Sequence, residues 1–355
     1  MSTPYGYGGR PQDRVGPPPG VLPPPAQYPQ QGVPQYGQPY YGPGPNQFNG
    51  FQPPRRRGSA IRLVLIGFFS VAFLGVALAV VGVVLTSGSS SADSSGPQIA
   101  SGPAVVPTAK SNAPKGSPED YLLNAPIYKV GGLGELNCKA ENLGDGSLAA
   151  QKVYYEKLFK CLNDAWRPAF AKMGKHEPDP GLVVFDQPVD GPCGHFEPLS
   201  GRVLAFYCFG NHVMYTDVKQ MNQAFGPKED LAYLMTIAHE YGHHVQSVSD
   251  LFYARQAYLA DHPGEKLESS RRNELQASCF AGVFSRAIEK SYPFTNRLKE
   301  FEFQASNSFG ETPKTPPSER THGLATSQGY WIVNGLNIGE TKACNTYAAT
   351  QSQIK

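Results

Sequence analysis

Hydrophobic and polar positions fall into four regimes along this chain, and their boundaries define its parts. From residue 1 to about residue 57, Pro, Gly, Tyr and Gln dominate and aliphatic side chains are nearly absent. Such a segment buries too little surface to offset its conformational entropy, and a disordered tail is expected. Residues 62–86 reverse this, because Leu63 to Leu85 is an almost unbroken apolar run. As a helix it would be about 34 Å long against a bilayer core of about 30 Å, which predicts one transmembrane helix. A cleaved signal peptide is the alternative, although its apolar region would be shorter and would not follow so long a tail. Residues 87–117 are rich in Ser, Gly, Pro and Ala without periodicity and read as a flexible tether with a reach on the order of 30 Å. Residues 118–355 carry the patterning of one globular domain.

Within that domain the periods are mixed. Ser147 is placed to cap a helix on which Tyr154, Leu158, Cys161, Leu162 and Ala165 share a face, ending near Trp166-Arg167-Pro168. Gly181 to Phe185, Val203 to Cys208 and His212 to Thr216 read as strands, the last two joined by a turn at Gly210-Asn211. Asp230 is placed to cap a second helix with Leu231, Leu234, Met235 and Ala238 at helical spacing. An irregular stretch follows, then a helix whose Leu275, Cys279, Gly282 and Val283 form an apolar face, another near residues 294–309, and a last one near residues 327–335. A Pro-rich loop, Thr312 to Pro317, precedes that last helix. The expected fold class is α+β, mainly helical with a small sheet.

A formal net charge of +2 over 355 residues excludes an electrostatic nucleic-acid binder and an acidic solvating protein, so no nucleic-acid partner is expected. Local charge is more informative. Arg55, Arg56, Arg57 and Arg62 precede the apolar run and Asp93 follows it, which places the N-terminus in the cytoplasm and residues 118–355 outside a cell membrane crossed once. The Pro- and Tyr-rich tail is either a solvated arm or a site for a cytosolic partner. All six cysteines come after Gln98, an even set suited to an oxidising compartment. Proximity along the chain favours Cys193 with Cys208 and Cys138 with Cys161, leaving Cys279 with Cys344. No CxxC pair is present to suggest a cysteine-bound zinc.

The candidate chemistry lies in the second helix of the domain. His239 and His243 are four residues apart, so on a helix both imidazoles project from one face toward a single metal ion. Glu240, one step round from His239, can reach a water beside that metal without being a ligand, where a general base for hydrolysis has to be. A hydrolytic zinc site needs a third protein ligand, and Glu274 on the following helix is the candidate. The set predicts one Zn2+ ion between two helices and a zincin-like arrangement. His244 stands four residues after Glu240, within reach of influencing that base or of a purely structural hydrogen bond. His322 and Tyr330 are candidates for stabilising the oxyanion of a tetrahedral intermediate. His176, His195, His212 and His262 have no supporting pattern.

The runs AHEYGHHVQ at 238–246, NELQASCFAGVF at 273–284 and THG at 321–323 resemble the bacterial putative neutral zinc metallopeptidase family, whose signature reads HExGHHxQ and then ELQADCxAGxW. The resemblance extends roughly from Cys161 to Tyr347 through CLNDAW, the CG at 193–194, the FYC at 206–208 and the CNTY at 344–347. It implies that His239, His243 and Glu274 are metal ligands and Glu240 the catalytic base. Two positions depart from the signature: its Asp is Ser278 here, and its Trp is Phe284. Ser278 lies four residues after Glu274, beside the expected metal, where an aspartate would orient a ligand imidazole. On that reading alone, Ser278→Asp is expected to tighten zinc binding or raise turnover, provided the pocket has room for the carboxylate. The chain as a whole reads as a membrane-anchored extracytoplasmic zinc metallopeptidase acting on peptides or proteins of the cell envelope. The alternatives are a zinc-stabilised envelope scaffold that has lost turnover, and an assembly factor working through the tail.

Overall fold

A computed structural model describes residues 104–107, 115–139, 142–200, 203–292, 297–307 and 309–355. The expected tail, the expected membrane span and most of the expected tether lie outside these residues. Among the described residues no helix is long and apolar enough to cross a membrane.

The first helix, α1 (Pro118–Asn124), is capped by Ser117. Ser147 caps α2 (Leu148–Lys172), accepting from the Ala150 N–H as its position predicts. This helix does not stop at Pro168 but continues four residues beyond it. Proline inside a helix costs one backbone hydrogen bond, about 3 kcal/mol in an exposed setting. Here the buried Ala169 and Phe170 extend the same core face, and Trp166 stacks on Phe170 and meets Phe280 edge-on. Packing outweighs the local preference.

Five short strands follow: β1 (Gly181–Phe185), β2 (Val189–Gly191), β3 (Gly194–Phe196), β4 (Ala205–Cys208) and β5 (Val213–Asp217). β2 and β3 form a hairpin, and the others form a sheet in the order β1-β5-β4, with β5 parallel to β1 and antiparallel to β4. β4 and β5 begin slightly later than their apolar runs. His212, at φ 56°, belongs to the tight turn rather than to β5. Asp217 ends β5 and caps α3 (Val218–Phe225) by accepting from the N–H groups of Lys219 and Gln220.

The candidate motif lies in α4 (Asp230–Val248), of which nearly every residue is buried. Asp230 is the first helical residue, not the cap; its carboxylate pairs with Arg297 at 2.9 Å instead. A left-handed Asp250, φ 59°, turns the chain into α5 (Leu251–Asp261), a helix where an irregular stretch is expected from the sequence. Leu251 is its only buried residue, so no apolar stripe announces it. Glu274 lies in α6 (Lys266–Ile288), followed by α7 (Leu298–Asn307) and α8 (Ala325–Ile338).

α4, α6 and α8 approach one another through glycines. A Cβ on Gly242 would come within 2.6 Å of the Ala277 carbonyl oxygen, one on Gly282 within 2.0 Å of the Ile332 carbonyl oxygen, and one on Gly335 within 2.2 Å of the Cys279 carbonyl oxygen. Main chain therefore packs on main chain at both crossings. Disulfides join Cys138 to Cys161, Cys193 to Cys208 and Cys279 to Cys344, the pairing expected from proximity along the chain. Val105, within the expected tether, is docked on α8: the Asn334 carboxamide accepts from its N–H at 2.8 Å and donates to its carbonyl at 2.9 Å.

Candidate metal centre

One turn of α4 brings the His239 and His243 rings to 4.9 Å, centroid to centroid. The Gly242–Ala277 crossing then carries α6 close enough for Glu274 to meet both. Its Oε2 lies 3.3 Å from His239 Nε2 and 3.3 Å from His243 Nε2. The three donor atoms lie within 4.8 Å of one another, a set that could hold a metal ion.

Each imidazole is oriented by its other nitrogen. Gln246 donates through Nε2 to the Asn273 carbonyl at 2.7 Å and to Gln276 Oε1 at 3.0 Å, which turns its Oε1 toward His243 Nδ1 at 2.8 Å. An amide oxygen only accepts, so Nδ1 of His243 keeps its hydrogen and Nε2, facing Glu274, is the nitrogen left to bind a metal once its own proton is released. The same logic fixes His239. Gln328 Nε2 donates to the His322 carbonyl at 2.5 Å, so its Oε1 accepts from the Ser278 hydroxyl, and that hydroxyl accepts from His239 Nδ1 at 2.8 Å. Two imidazole Nε2 atoms and a carboxylate thus converge, the donor set of a two-histidine, one-glutamate zinc site. The residues fit zinc.

The electrostatics express the same convergence. Burial disfavours a charged Glu274, but the neighbouring His243 and His322 outweigh it and hold the carboxyl well below its ordinary range. Burial likewise opposes charge on His243, yet Glu274 beside it raises the imidazole to about 9. His239 is lowered, burial being the largest cause. A buried carboxylate among imidazoles calls for positive charge at its oxygen.

Glu240 follows His239 on α4 and points to the sheet rather than to Glu274. Its Oε2 accepts from the Tyr207 N–H of β4 at 3.0 Å, and burial raises its carboxyl to about 7. The Tyr207 hydroxyl meets His244 Nδ1 at 3.0 Å and His212 Nδ1 at 2.7 Å. His244 thus holds the sheet to the helix. Burial, aided by His212, lowers it to about 3.

His322 lies on the loop before α8, half exposed, with Nε2 3.8 Å from Glu274 Oε2. Glu311 secures that loop: its Oε1 accepts from the N–H groups of Thr321 and His322, each at 2.9 Å, and lies 3.4 Å from His322 Nδ1. Tyr330 has a different environment, its hydroxyl accepting from Gln353 Nε2 at 3.1 Å and its ring meeting Trp331 edge-on. Gln246, Glu311, Gln328 and the Tyr207 N–H are participants that sequence reasoning does not name. Gln246 had a signal, since i,i+3 spacing places it on the His243 face. Glu311 and Gln328 had none, because loop closure brings them in.

The sequence profile described as "Putative neutral zinc metallopeptidase" matches residues 139–347. The chain is 30% identical over 201 residues to "Uncharacterized protein YpfJ" of Escherichia coli K12, covering 54% of this chain and 69% of that protein. It is 29% identical over 212 residues to "Uncharacterized protein Mb2605" of Mycobacterium bovis, covering 53% and 68% respectively. No solved structure matches the chain.

Proposed function

This chain belongs to the putative neutral zinc metallopeptidase family, and from that premise we propose that it hydrolyses peptide bonds with zinc held by His239, His243 and Glu274. The observation that carries the reading is the convergence of both Nε2 atoms on Glu274 Oε2, with Glu240 one residue away on the same helix. When bound, zinc would polarise a peptide carbonyl and acidify a water molecule.

The protein's own groups supply the remainder. Glu240, held by the Tyr207 N–H through one oxygen, takes the proton of the attacking water and delivers it to the departing amine. His322, kept beside Glu274 by Glu311, donates a hydrogen bond to the carbonyl oxygen as negative charge develops there. Ser278 and Gln246 hold the ligand imidazoles in the tautomer that leaves Nε2 free. A site that only staples a fold would have no use for a base at Glu240 and would usually close its fourth position. This disfavours the scaffold reading, whose main support is Ser278 in place of an aspartate. The arginines and apolar run of residues 55–86 favour anchorage in a cell membrane with residues 118–355 outside, where envelope peptides or proteins would be the substrates.

The test is zinc content and peptide cleavage by the detergent-solubilised full chain, with and without a chelator, beside Glu240→Gln. The variant should retain zinc and lose at least about 100-fold in kcat. Loss of zinc from Glu240→Gln would make Glu240 a ligand and overturn the assignment.

A further inference from the structure

β4 ends at Cys208, and the next residue, Phe209, directs its ring toward the candidate metal centre: its centroid lies 6.3 Å from that of His243. It is not alone. The turn at Asp250 brings the start of α5 back over it, and Phe252 stacks on Phe209 at 3.7 Å with 14° between the planes. Tyr253 meets Phe252 edge-on at 5.4 Å and remains 54% exposed. Beneath Phe209 lies the Tyr207 ring, at 5.0 Å, whose backbone N–H holds Glu240. One aromatic shelf is therefore joined through direct neighbours both to a candidate ligand and to the candidate base.

We propose that Phe209, Phe252 and Tyr253 form a subsite for a large apolar side chain, preferably aromatic, on a peptide residue flanking the bond that is cut. The inference rests on the hydrolytic reading above and adds a substrate class to it. A peptide whose carbonyl reaches the ligand cluster must place a neighbouring side chain within a few ångströms of His243, and the shelf occupies that ground. It offers ring faces, ring edges and, at its outer end, one phenol. Apolar groups are buried there favourably, and aromatic ones gain ring-to-ring geometry as well. A carboxylate or ammonium would lose its water with no opposite charge in the shelf to replace it.

The experiment uses zinc-loaded full-length protein in detergent and fluorogenic peptides of one sequence carrying Phe, Leu, Ala or Asp on either side of the cleaved bond. On one side, the ratio of kcat/KM for Phe over Ala should be about 10- to 100-fold, with Asp poorest, in the range hydrophobic pockets achieve. Tyr253→Ala and Phe252→Leu should each collapse that ratio toward one at full zinc occupancy, which serves as the folding check. A second arm measures binding of the same peptides to Glu240→Gln by fluorescence anisotropy. Cleavage without a preference for Phe on either side overturns the subsite and leaves the hydrolytic reading standing. A Phe preference in binding with no cleavage by the unaltered protein supports the subsite and overturns hydrolysis. Absence of both overturns both. A change in oligomeric state on Tyr253→Ala, without a change in peptide preference, would reassign the shelf to self-association and overturn the proposal.

Discussion

Ser278 accepts a hydrogen bond from His239 Nδ1 at 2.8 Å and passes its own hydroxyl hydrogen to Gln328 Oε1. The signature's aspartate is thus replaced here by a pair: serine supplies the acceptor, and a glutamine fifty residues later fixes the direction of the hydroxyl. Gln328 in turn holds the His322 carbonyl, so the orientation of a candidate ligand and the position of the His322 loop depend on one buried amide.

Ser278→Ala should weaken zinc binding by about 10- to 100-fold, the usual cost of losing a partner that orients a ligand, as measured by competition with a chelator. Gln328→Leu should move affinity in the same direction by less. Ser278→Asp, expected from the sequence alone to tighten binding, should instead weaken it, because the carboxylate would face Gln328 Oε1. Turning that amide to donate would set its oxygen against the His322 carbonyl. Tighter binding in Ser278→Asp would show that Gln328 does not fix this network.

Glu311 gives a pH dependence with a definite sign. Burial alone would raise its carboxyl, but the hydrogen bonds and charge from His322 and the N–H of Thr321 outweigh this and lower it. A group depressed in the folded state contributes stability above its unfolded pKa, about 4.3 for glutamate, and loses it as pH falls through the folded value. The loop bearing His322 should therefore become protease-sensitive below about pH 4.3 before the domain unfolds. Glu311→Gln should be more sensitive at neutrality and show little further change on acidification, as followed by limited proteolysis from pH 3 to 7.

The Cys279–Cys344 bridge spans 65 residues. In the chain-entropy account, a loop of that length is worth about 4 kcal/mol through restriction of the unfolded state. The double variant Cys279→Ala/Cys344→Ala should lose stability of that order in urea unfolding under oxidising conditions. A loss under about 1 kcal/mol would place the constraint elsewhere.

Much of this was legible because it is local. The i,i+4 spacing of His239 and His243, the Ser147 cap and the strand of residues 181–185 all follow from neighbours along the chain. Glu274 was legible because its helix carries its own apolar stripe. What failed depended on distant partners. Trp166 and Phe280 carry α2 past Pro168; Arg297 diverts Asp230 from capping; and α5 is held by contacts that leave only Leu251 buried. Glu311 and Gln328 join the site through a loop and a helix beginning more than thirty residues after Glu274, where periodicity carries no information about pairing.

Protease added to intact cells or spheroplasts bears on the proposed topology. Residues 104–107 should themselves resist cleavage, because Asn334 holds both backbone groups of Val105. Asn334→Ala should open them to it. Digestion of the segment from Met1 by external protease would reverse the orientation.

At the Gly242–Ala277 crossing the opening between the candidate ligands is a dimension of the main chain. The glycine sets how far the ligand side chains must reach, and the disulfide from Cys279 to Cys344 fastens the same helix. Such jaws need not close on an ion. Small zinc domains collapse when stripped because the metal is their core; this one has a core of its own, so removing zinc should abolish turnover while far-ultraviolet circular dichroism stays the same. Reloading should restore activity without a refolding phase, making the ion an exchangeable part of a standing frame.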